Sequence, residues 1–317
     1  MESFEIEGIV RAELENGVFH TLKIELGTAK GGLKRKTEVL HKILKATAEI
    51  HNPLLHELYL EYGFFKHESD HLAKRLNIAF LLYGDAPSAM KALEHGPLEK
   101  LESEVAKTQT ILSKINRTWL KSIGPLSSIS SLKPKQNQIL YLAHMALPFE
   151  SAGYCTRTHG LLTNLSQYNA NITIQTRLGY PLDKGKLKHL TDADVKKTFK
   201  IDGMKYNYHT SLDEGIRDAD ERAYIERASM ALIEQARSVR PALIQAASNH
   251  VNGAIGLTTA RALNLPFIYE VRGLWHMSRV ARQPHFIHHA EYKAMDEAEI
   301  AVCFEADMVL AITHAVR

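Results

Sequence analysis

Apolar and polar residues alternate in three different ways along this 317-residue chain. Near the start, the runs FEIEGIVRAEL and VFHTLKIEL alternate on either side of Asn16-Gly17, a pattern typical of a β-hairpin. Between residues 33 and 123, apolar residues recur at spacings of three and four and predict four or five helices in an antiparallel array. The pattern therefore predicts a short β-hairpin segment at residues 1–30 and a helical region at residues 31–123.

A third pattern begins after residues 124–137, which are rich in Ser, Pro, Lys and Gln and have the composition of a linker. Short apolar strands then alternate with helices over residues 138–317, and this order predicts parallel strands with helices on both faces of a sheet. The predicted strands are Ile139–His144, Asn171–Thr176, Ala242–Ser248 and the runs PFIYEVRG and DMVLAIT, with a hairpin that turns at Asp202-Gly203. The expected fold class is α/β, with a parallel Rossmann-like sheet preceded by a mostly α-helical region.

Charge and composition exclude several classes of protein. The formal net charge is only +3, which gives no reason to expect a nucleic-acid partner. The two cysteines, Cys155 and Cys303, form no C-x-x-C pair, so neither a disulfide framework nor a structural zinc site is expected. The N-terminal run MESFEIEGIV lacks the pattern of a signal peptide, and no run reaches about 18 apolar residues. We therefore expect a cytoplasmic protein, for which peripheral contact with a membrane stays open.

Loops at the carboxyl ends of the predicted strands contain the most informative residues, because a ligand of a parallel sheet binds at that edge. Three runs stand out: LPFESAGYCTRTHGLLTNL, TRLGYP and AASNHVNGAIGLTTARALNLPFIYEVRGLW. In this order and at this spacing, over residues 138–317, they resemble the N-terminal domain of GT-B glycosyltransferases of the large retaining family four. The resemblance is strongest to a branch associated with capsular and surface polysaccharides. It implies that the sheet is the N-terminal half of a GT-B fold.

The resemblance also implies an activity and partners. The expected reaction is transfer of a sugar from a nucleotide-sugar donor to a glycan or lipid-linked acceptor, with retention of the anomeric configuration and without a metal or other cofactor. Relatives hold the donor mainly with a C-terminal domain that has no counterpart in these 317 residues, so a truncated or split protein is expected. The other hypothesis is a non-catalytic scaffold or interaction module, whose helical region binds a protein partner of unknown kind.

The resemblance places a cleft for the donor diphosphate and the acceptor at these loops. Relatives usually have a Gly-Gly pair before the first helix, where this chain has Ala152-Gly153, and small residues there let helix amides face a diphosphate. Arg272-Gly273 replaces the His-Asp that ends one strand in many relatives, and Arg272 would contact a phosphate or an acidic acceptor. The full set of candidates is Ala152, Gly153, Arg157, His159, Arg177, Asn249, His250, Asn252, Arg272 and Gly273.

Several of these residues also have a purely structural interpretation. Gly153 would form a tight turn between strand and helix, and Arg272 would be a surface residue paired with Glu270. Arg157 and His159 would either line the acceptor cleft or face solvent. The sequence leaves both interpretations open.

Other polar residues near the predicted edge bear on ligand and metal binding. Asn249, His250 and Asn252 cluster at the end of a buried strand and need hydrogen-bond partners, of which a ligand is one. Arg177 stands at the expected mouth of the site, before the lysine-rich run LDKGKLKHLTDADVKK, which is either a surface for an anionic acceptor or a solvated loop. The run HFIHH lacks the Glu and the third ligand of a zinc site, so no metal is expected. No catalytic residue can be assigned.

Overall fold

The computed structural model of the chain describes residues 3–16, 26, 32–48, 52–63, 70–95, 101–116, 132–184, 190–191, 193–210 and 220–314. Contacts between Cα atoms divide the chain into two compact units. The first comprises residues 1–116 and 279–294, and the second comprises residues 117–278 and 295–317. The linker predicted at 124–137 lies outside the described residues except for 132–137. The sequence predicts domains that are continuous in the chain, whereas residues 279–294 belong to the first unit.

The first unit is built from helices whose starts are encoded locally. Asn52 caps one helix by accepting a hydrogen bond from the amide of Leu54, and Asp85 caps another by accepting one from the amide of Ser88. A proline occupies the first turn of both helices, where its missing N–H costs nothing. The helices before the sheet are α1 (Ser3–Asn16), α2 (Gly32–Ala46), α3 (Pro53–Tyr62), α4 (Asp70–Tyr83), α5 (Ala86–Glu94) and α6 (Leu101–Ile115).

The hairpin predicted at residues 1–30 is wrong for the part that the structure describes, because residues 3–16 form helix α1. Val10 is buried and Ile9 packs beside it in the core of the helical unit. Packing against α2 thus decides the conformation of a segment whose sequence alternates as a strand does. Apart from Leu26, the second arm of the predicted hairpin lies outside the described residues. Helices α2 to α6 fall within the predicted helical region.

The second unit contains a seven-stranded sheet in the order β3-β4-β2-β1-β5-β6-β7. Its strands are β1 (Gln138–Ala143), β2 (Asn171–Thr176), β3 (Thr198–Ile201), β4 (Met204–Asn207), β5 (Leu243–Ala247), β6 (Phe267–Val271) and β7 (Met308–Ala311). All neighbouring pairs are parallel except β3 and β4, which form the predicted hairpin. Asp202 and Gly203 turn this hairpin at φ angles of 46° and 82°, so the predicted turn is confirmed.

Helices cover both faces of this sheet. The helices that follow β1 in the chain are α7 (Gly153–Ser166), α8 (Glu221–Val239), α9 (His250–Leu263), α10 (Trp275–Val280) and α11 (Ala290–Glu305). Residues 279–294, which include a 3₁₀ turn at Pro284–His288 and one end each of α10 and α11, belong to the first unit. Successive residues of a strand point to opposite faces. Leu140 and Leu142 of β1 accordingly pack with α8 and α9, whereas Tyr141 and Ala143 lie in a second core with Leu162 of α7. The fold is α/β and Rossmann-like, as predicted.

Helix α9 approaches the sheet through two glycines. A Cβ atom at Gly253 would lie 2.6 Å from the Tyr269 ring, and one at Gly256 would lie 2.7 Å from the Phe267 ring. A larger residue would therefore push α9 off the sheet. These two glycines thus let α9 pack closely against the aromatic side chains of β6. Among the helices that the structure describes, none is long and apolar enough to cross a membrane.

Candidate functional site

Four neighbouring strands end at one edge of the sheet, because β2, β1, β5 and β6 run parallel. The residues that follow them are His144, Arg177, Ser248 and Arg272. The amide of Arg177 donates to the carbonyl of Ala143 at 3.1 Å, and the amide of Ser248 donates to the carbonyl of Glu270 at 2.9 Å. The loops of the predicted site therefore begin side by side.

Arg272 joins three of these loops. Its side chain is 5% exposed and pairs with Glu270, with Nε 2.9 Å from Oε1 and Nη2 donating to Oε2 at 3.0 Å. Its Nη1 donates to the carbonyl of Tyr154 at 3.0 Å and to Oγ1 of Thr158 at 2.6 Å, both in α7. Its own amide donates to Oγ of Ser248 at 3.1 Å. The buried guanidinium of Arg272 thus connects the end of β6 to α7, and the backbone amide of Arg272 connects it to the end of β5.

The buried pair is completed by Tyr141 of β1. Its hydroxyl donates to Oε2 of Glu270 at 2.9 Å and accepts from Nη2 of Arg272 at 2.7 Å. Burial alone would lower the pKa of Arg272, but Tyr141 and Glu270 outweigh it, so the pKa is raised and the guanidinium stays charged. The structure therefore agrees with the structural interpretation of Arg272, in which it pairs with Glu270. It differs in that the pair is buried and does not lie on the surface. Contact between Arg272 and a phosphate would require this pair to break.

The first turn of α7 is open to solvent beside these contacts. Ala152 occupies the N-cap position and has no side-chain oxygen to accept from the first amides. Both Ala152 and Gly153 are exposed, and a Cβ atom at Gly153 would meet no atom within 4 Å. Gly273, at the end of β6, is equally unobstructed. The amides of Cys155 and Thr156 donate to the carbonyl of Ala152, and no side chain caps those of Gly153 and Tyr154. The start of α7 therefore has a favourable helix dipole and space for an anion beside these first two amides.

Arg157 and His159 lie on α7 but do different things. The Arg157 side chain is 50% exposed, with Nε 4.0 Å from Oε1 of Glu270, so its cation is available at the edge. His159 instead contacts the β3-β4 hairpin, with Nδ1 2.7 Å from the Tyr206 hydroxyl and Nε2 2.9 Å from Oδ2 of Asp202. His159 neither faces solvent freely nor joins Arg157; it fastens the hairpin to α7.

Arg177 does not stand at the mouth of a site, so that prediction is wrong. The structure buries its side chain and pairs it with Asp183, to which Nη1 and Nη2 both donate. Its guanidinium also lies 5.5 Å from the centre of the Tyr180 ring. The loop after β2 folds back over Arg177 because a buried guanidinium requires a carboxylate. Only part of the lysine-rich run that follows lies within the described residues.

Asn249, His250 and Asn252 find partners inside the protein. Asn249 caps α9 by accepting from the amide of Asn252. The amide nitrogen of the Asn252 side chain donates to the carbonyls of Leu142 at 3.0 Å and Ala247 at 2.8 Å, and so joins β1 to β5. The hydrogen-bonding need predicted for these residues is real, but the backbone meets most of it.

His250 belongs to a buried acidic cluster behind the start of α9. Its Nε2 lies 3.6 Å from Oε2 of Glu221, and its Nδ1 lies 3.9 Å from Oε2 of Glu299. Tyr269 donates to Oε1 of Glu299 at 2.6 Å. Burial raises the pKa of Glu299 to about 7. The charge of Glu299 therefore changes near neutral pH.

His144 and Trp275 are residues at this edge that the candidate set missed. His144 follows β1, is almost fully buried and lies with its ring edge-on to Trp275, 4.9 Å between centroids. Burial lowers its pKa well below the usual range, helped by Arg177 and Lys184, so the imidazole is neutral at pH 7. Trp275 remains 42% exposed. The final polar residue of the run ILYLAH was the signal that could have identified His144.

Metal binding finds no support within the described residues, where no group of three or more His, Cys, Asp or Glu side chains could hold an ion. Of the histidines in HFIHH, His288 ends the 3₁₀ turn and His289 follows it. Both belong to the first unit, whereas the predicted site lies in the second.

Comparisons with known proteins add little. No family model matches the chain, and no curated protein matches it. The chain is similar to a solved structure described as the 2.75 Angstrom crystal structure of an uncharacterized protein from Bacillus cereus ATCC 10987. The alignment has 10% sequence identity and a TM-score of 0.26, and it covers 99% of this chain and 92% of the other. A likeness of this size carries no argument, so the fold assignment rests on the strand order and the helices.

Proposed function

We propose that the second unit is the acceptor-side half of a retaining glycosyltransferase, which transfers a sugar from a nucleotide-sugar to a glycan or lipid-linked acceptor in surface polysaccharide synthesis. The observation that supports this proposal best is the open start of α7 at Ala152-Gly153, which lies beside the end of β6. The motifs quoted above resemble the glycosyltransferase family at these same loops. Neither support alone would carry the proposal.

The geometry suggests how a donor would bind. The unpaired amides at the start of α7 offer hydrogen bonds to a diphosphate, and the helix dipole favours the negative charge. Arg157, one turn further along α7 and half exposed, adds a cation close to that position. The side chain of Trp275 exposes an aromatic surface at the end of β6 on which a sugar ring could rest.

Arg272 has a positioning role in this proposal and not a binding role. Its hydrogen bonds to Tyr154 and Thr158 hold the first turns of α7 against the end of β6. Catalysis by positioning depends on such rigid support, because small displacements of a bound group are costly. The proposal assigns no acid or base.

A substitution that fills the space at the start of α7 tests the proposal. In the protein expressed from its complete gene, Gly153→Leu should reduce sugar transfer from labelled nucleotide-sugars at least tenfold. Gly160→Leu is the matched control, because Gly160 is also exposed, lies in the same helix and has no atom within 4 Å of an added Cβ. The control should transfer normally, and both variants should melt within a few degrees of the wild type. Equal transfer by Gly153→Leu and Gly160→Leu would remove the start of α7 from the site.

A non-catalytic binding module is the second candidate, and one observation favours it. The side chains of Arg177, Asn252 and Arg272 are all engaged in internal contacts, so few polar side chains are free to do chemistry. The two candidates predict different results with a nucleoside diphosphate and a nucleotide-sugar. Saturable binding that Gly153→Leu abolishes, without transfer or hydrolysis by the complete protein, would favour the module. Turnover would favour the enzyme.

A further inference from the structure

The helical unit contains a cleft that the proposed glycosyltransferase site does not use. It has a volume of about 270 Å³ and lies among residues of α2, α3 and α4. Small-molecule pockets in proteins have volumes of about 300–1,000 Å³, so the volume of this cleft is just below that range. All of its lining residues are described and belong to the first unit.

One face of α4 gives the cleft two chemically different ends. His71, Lys74 and Arg75 line it near the start of the helix, and apolar residues line it over the following two turns, beginning at Ile78 and Ala79. Residues at these spacings share a helix face. At 1.5 Å per residue, the distance along α4 from the cationic end to the last apolar lining residue is about 16 Å. No acidic residue is among the lining residues.

The polar groups in the apolar part of the cleft already have partners. The hydroxyls of Thr47 and Tyr59 bond to each other at 2.5 Å, and Thr47 also donates to the carbonyl of Ile43. The hydroxyl of Tyr83 donates to the carbonyl of Asn52 at 3.1 Å. A sugar or a peptide backbone entering this part would lose hydrogen bonds to water and gain few in return. Hydrocarbon would lose none.

The cationic end is only partly neutralised. Lys74 pairs with Asp70 at 2.9 Å, and both side chains are well exposed. Arg75 uses Nε to donate to Nε2 of His71 at 3.0 Å, and this contact leaves its charge intact. The pKa of His41, whose ring lies 5.0 Å from that of His71, is lowered by burial and then by the charges of Arg75 and other neighbours. This end of the cleft therefore favours a negative charge.

We propose that this cleft binds a single-chain lipid with an anionic head group, whose hydrocarbon chain lies along α4 and whose carboxylate or phosphate meets Arg75 and His71. Each buried methylene of a hydrocarbon chain adds to the affinity, so even a short length of chain strengthens binding. The charge distribution along one helix face fixes the orientation of the lipid. This inference goes beyond the proposed function and does not depend on it.

Calorimetric titration of the whole protein with dodecyl phosphate, below its micellar concentration, tests the proposal. Dodecyl phosphate should bind with a stoichiometry of one and at least tenfold more tightly than dodecyltrimethylammonium, which has the same chain and the opposite charge. Inorganic phosphate alone should not bind detectably, because the chain is required. Hydrogen exchange should slow in α2 and α4 when dodecyl phosphate is added, and this measurement needs no variant.

Two variants locate the site. Arg75→Glu reverses the charge of the cationic end, and Ile78→Glu places an acid over the apolar part at a position that is 55% exposed. Each should weaken dodecyl phosphate binding at least tenfold. The matched controls are Lys91→Glu and Ile111→Glu, at exposed positions outside the cleft, and both should bind as the wild type does.

Three results would overturn the proposal. They are equal binding of the anionic and cationic amphiphiles, loss of binding in the controls as large as in the cleft variants, and failure of dodecyl phosphate to bind or to slow exchange in α2 and α4. Protection of these helices by an acidic amphipathic peptide but not by dodecyl phosphate would show that the cleft is a protein-binding groove.

Discussion

Removal of the Arg272 side chain tests whether this residue supports the loops or serves a ligand. Arg272→Met keeps much of the apolar stem and removes the guanidinium. The change leaves the Glu270 carboxylate buried, 4% exposed, with the Arg157 guanidinium at 4.0 Å as its nearest described cation. It also removes the hydrogen bonds that fix the first turns of α7.

The expected loss of stability follows from this burial. Breaking a buried ion pair by removing one partner costs about 3–5 kcal/mol, because the remaining charge is left uncompensated. We therefore expect Arg272→Met to lower the free energy of unfolding of the second unit by about 4 kcal/mol. Replacing both partners, as in Arg272→Met with Glu270→Leu, should recover more than half of that loss. With Glu270→Leu measured alone as well, the coupling of the pair is the loss of the double variant minus the losses of the two single variants.

Urea denaturation followed by circular dichroism, together with amide hydrogen exchange in β1, β5 and β6, would measure these changes. Exchange is needed because two units do not have to unfold in one transition. The exposed pair of Arg237 and Glu234 in α8, 2.8 Å apart, provides the control. Arg237→Met should cost less than about 1 kcal/mol.

A loss for Arg272→Met no larger than that of Arg237→Met would refute the positioning role. Arg272 would then be a residue held in place for a ligand, as the resemblance alone would suggest. Recovery of stability in the double variant, without recovery of sugar transfer, would show instead that the pair orients α7 as well as stabilising it.

Two further predictions concern packing and pH. Gly256→Ala should destabilise the second unit by about 1–3 kcal/mol in denaturation, because its Cβ would lie 2.7 Å from the Phe267 ring. The control, Gly160→Ala at an open position, should be neutral or slightly stabilising. Equal effects of the two substitutions would contradict the close packing of α9. Glu299→Gln should remove a pH dependence that the wild type shows. Because the pKa of Glu299 is raised from 4.5 to about 7, the folded protein keeps a proton on this carboxyl at pH values where the unfolded chain has lost it. Wild-type stability should therefore fall, relative to the variant, by about 3 kcal/mol as pH rises from 4.5 through 7. Parallel pH curves would count against the raised pKa. The groups that face Glu299 are His250, Tyr269 and Asp296, and Glu221 lies 3.6 Å from Nε2 of His250.

The sheet could be predicted because its determinants are local. Strands β1 and β5 are short apolar runs that end in polar residues, and the Asp202-Gly203 pair specifies a turn by its positive φ angles. The first segment could not be predicted in the same way. Its alternation fits a strand, but burial of Val10 against the helical core makes it a helix.

The positions of the candidate loops could also be predicted, because parallel strands end at a common edge. The internal partners of the side chains in these loops could not be predicted. Asp183 lies six residues after Arg177, and no spacing rule shows that a loop will return to place it there. The sequence suggests the Arg272–Glu270 pair only as a surface contact. In the structure the pair is buried, because α7 packs over it. The cleft of the helical unit was not predicted, since its lining comes from three separate helices.

The remaining free groups at the sheet edge restrict how a donor could be held. Arg177 and Arg272, the two buried arginines that follow β2 and β6, are neutralised by Asp183 and Glu270. The start of α7 keeps its backbone amides and its open space, and Arg157 keeps a half-exposed cation. If the second unit binds a diphosphate, backbone groups carry most of that binding. Alanine substitution at the buried candidates Arg177, Asn252 and Arg272 would then report mainly losses of stability. Added bulk at Gly153 and removal of the exposed Arg157 side chain would instead separate loss of binding from loss of fold.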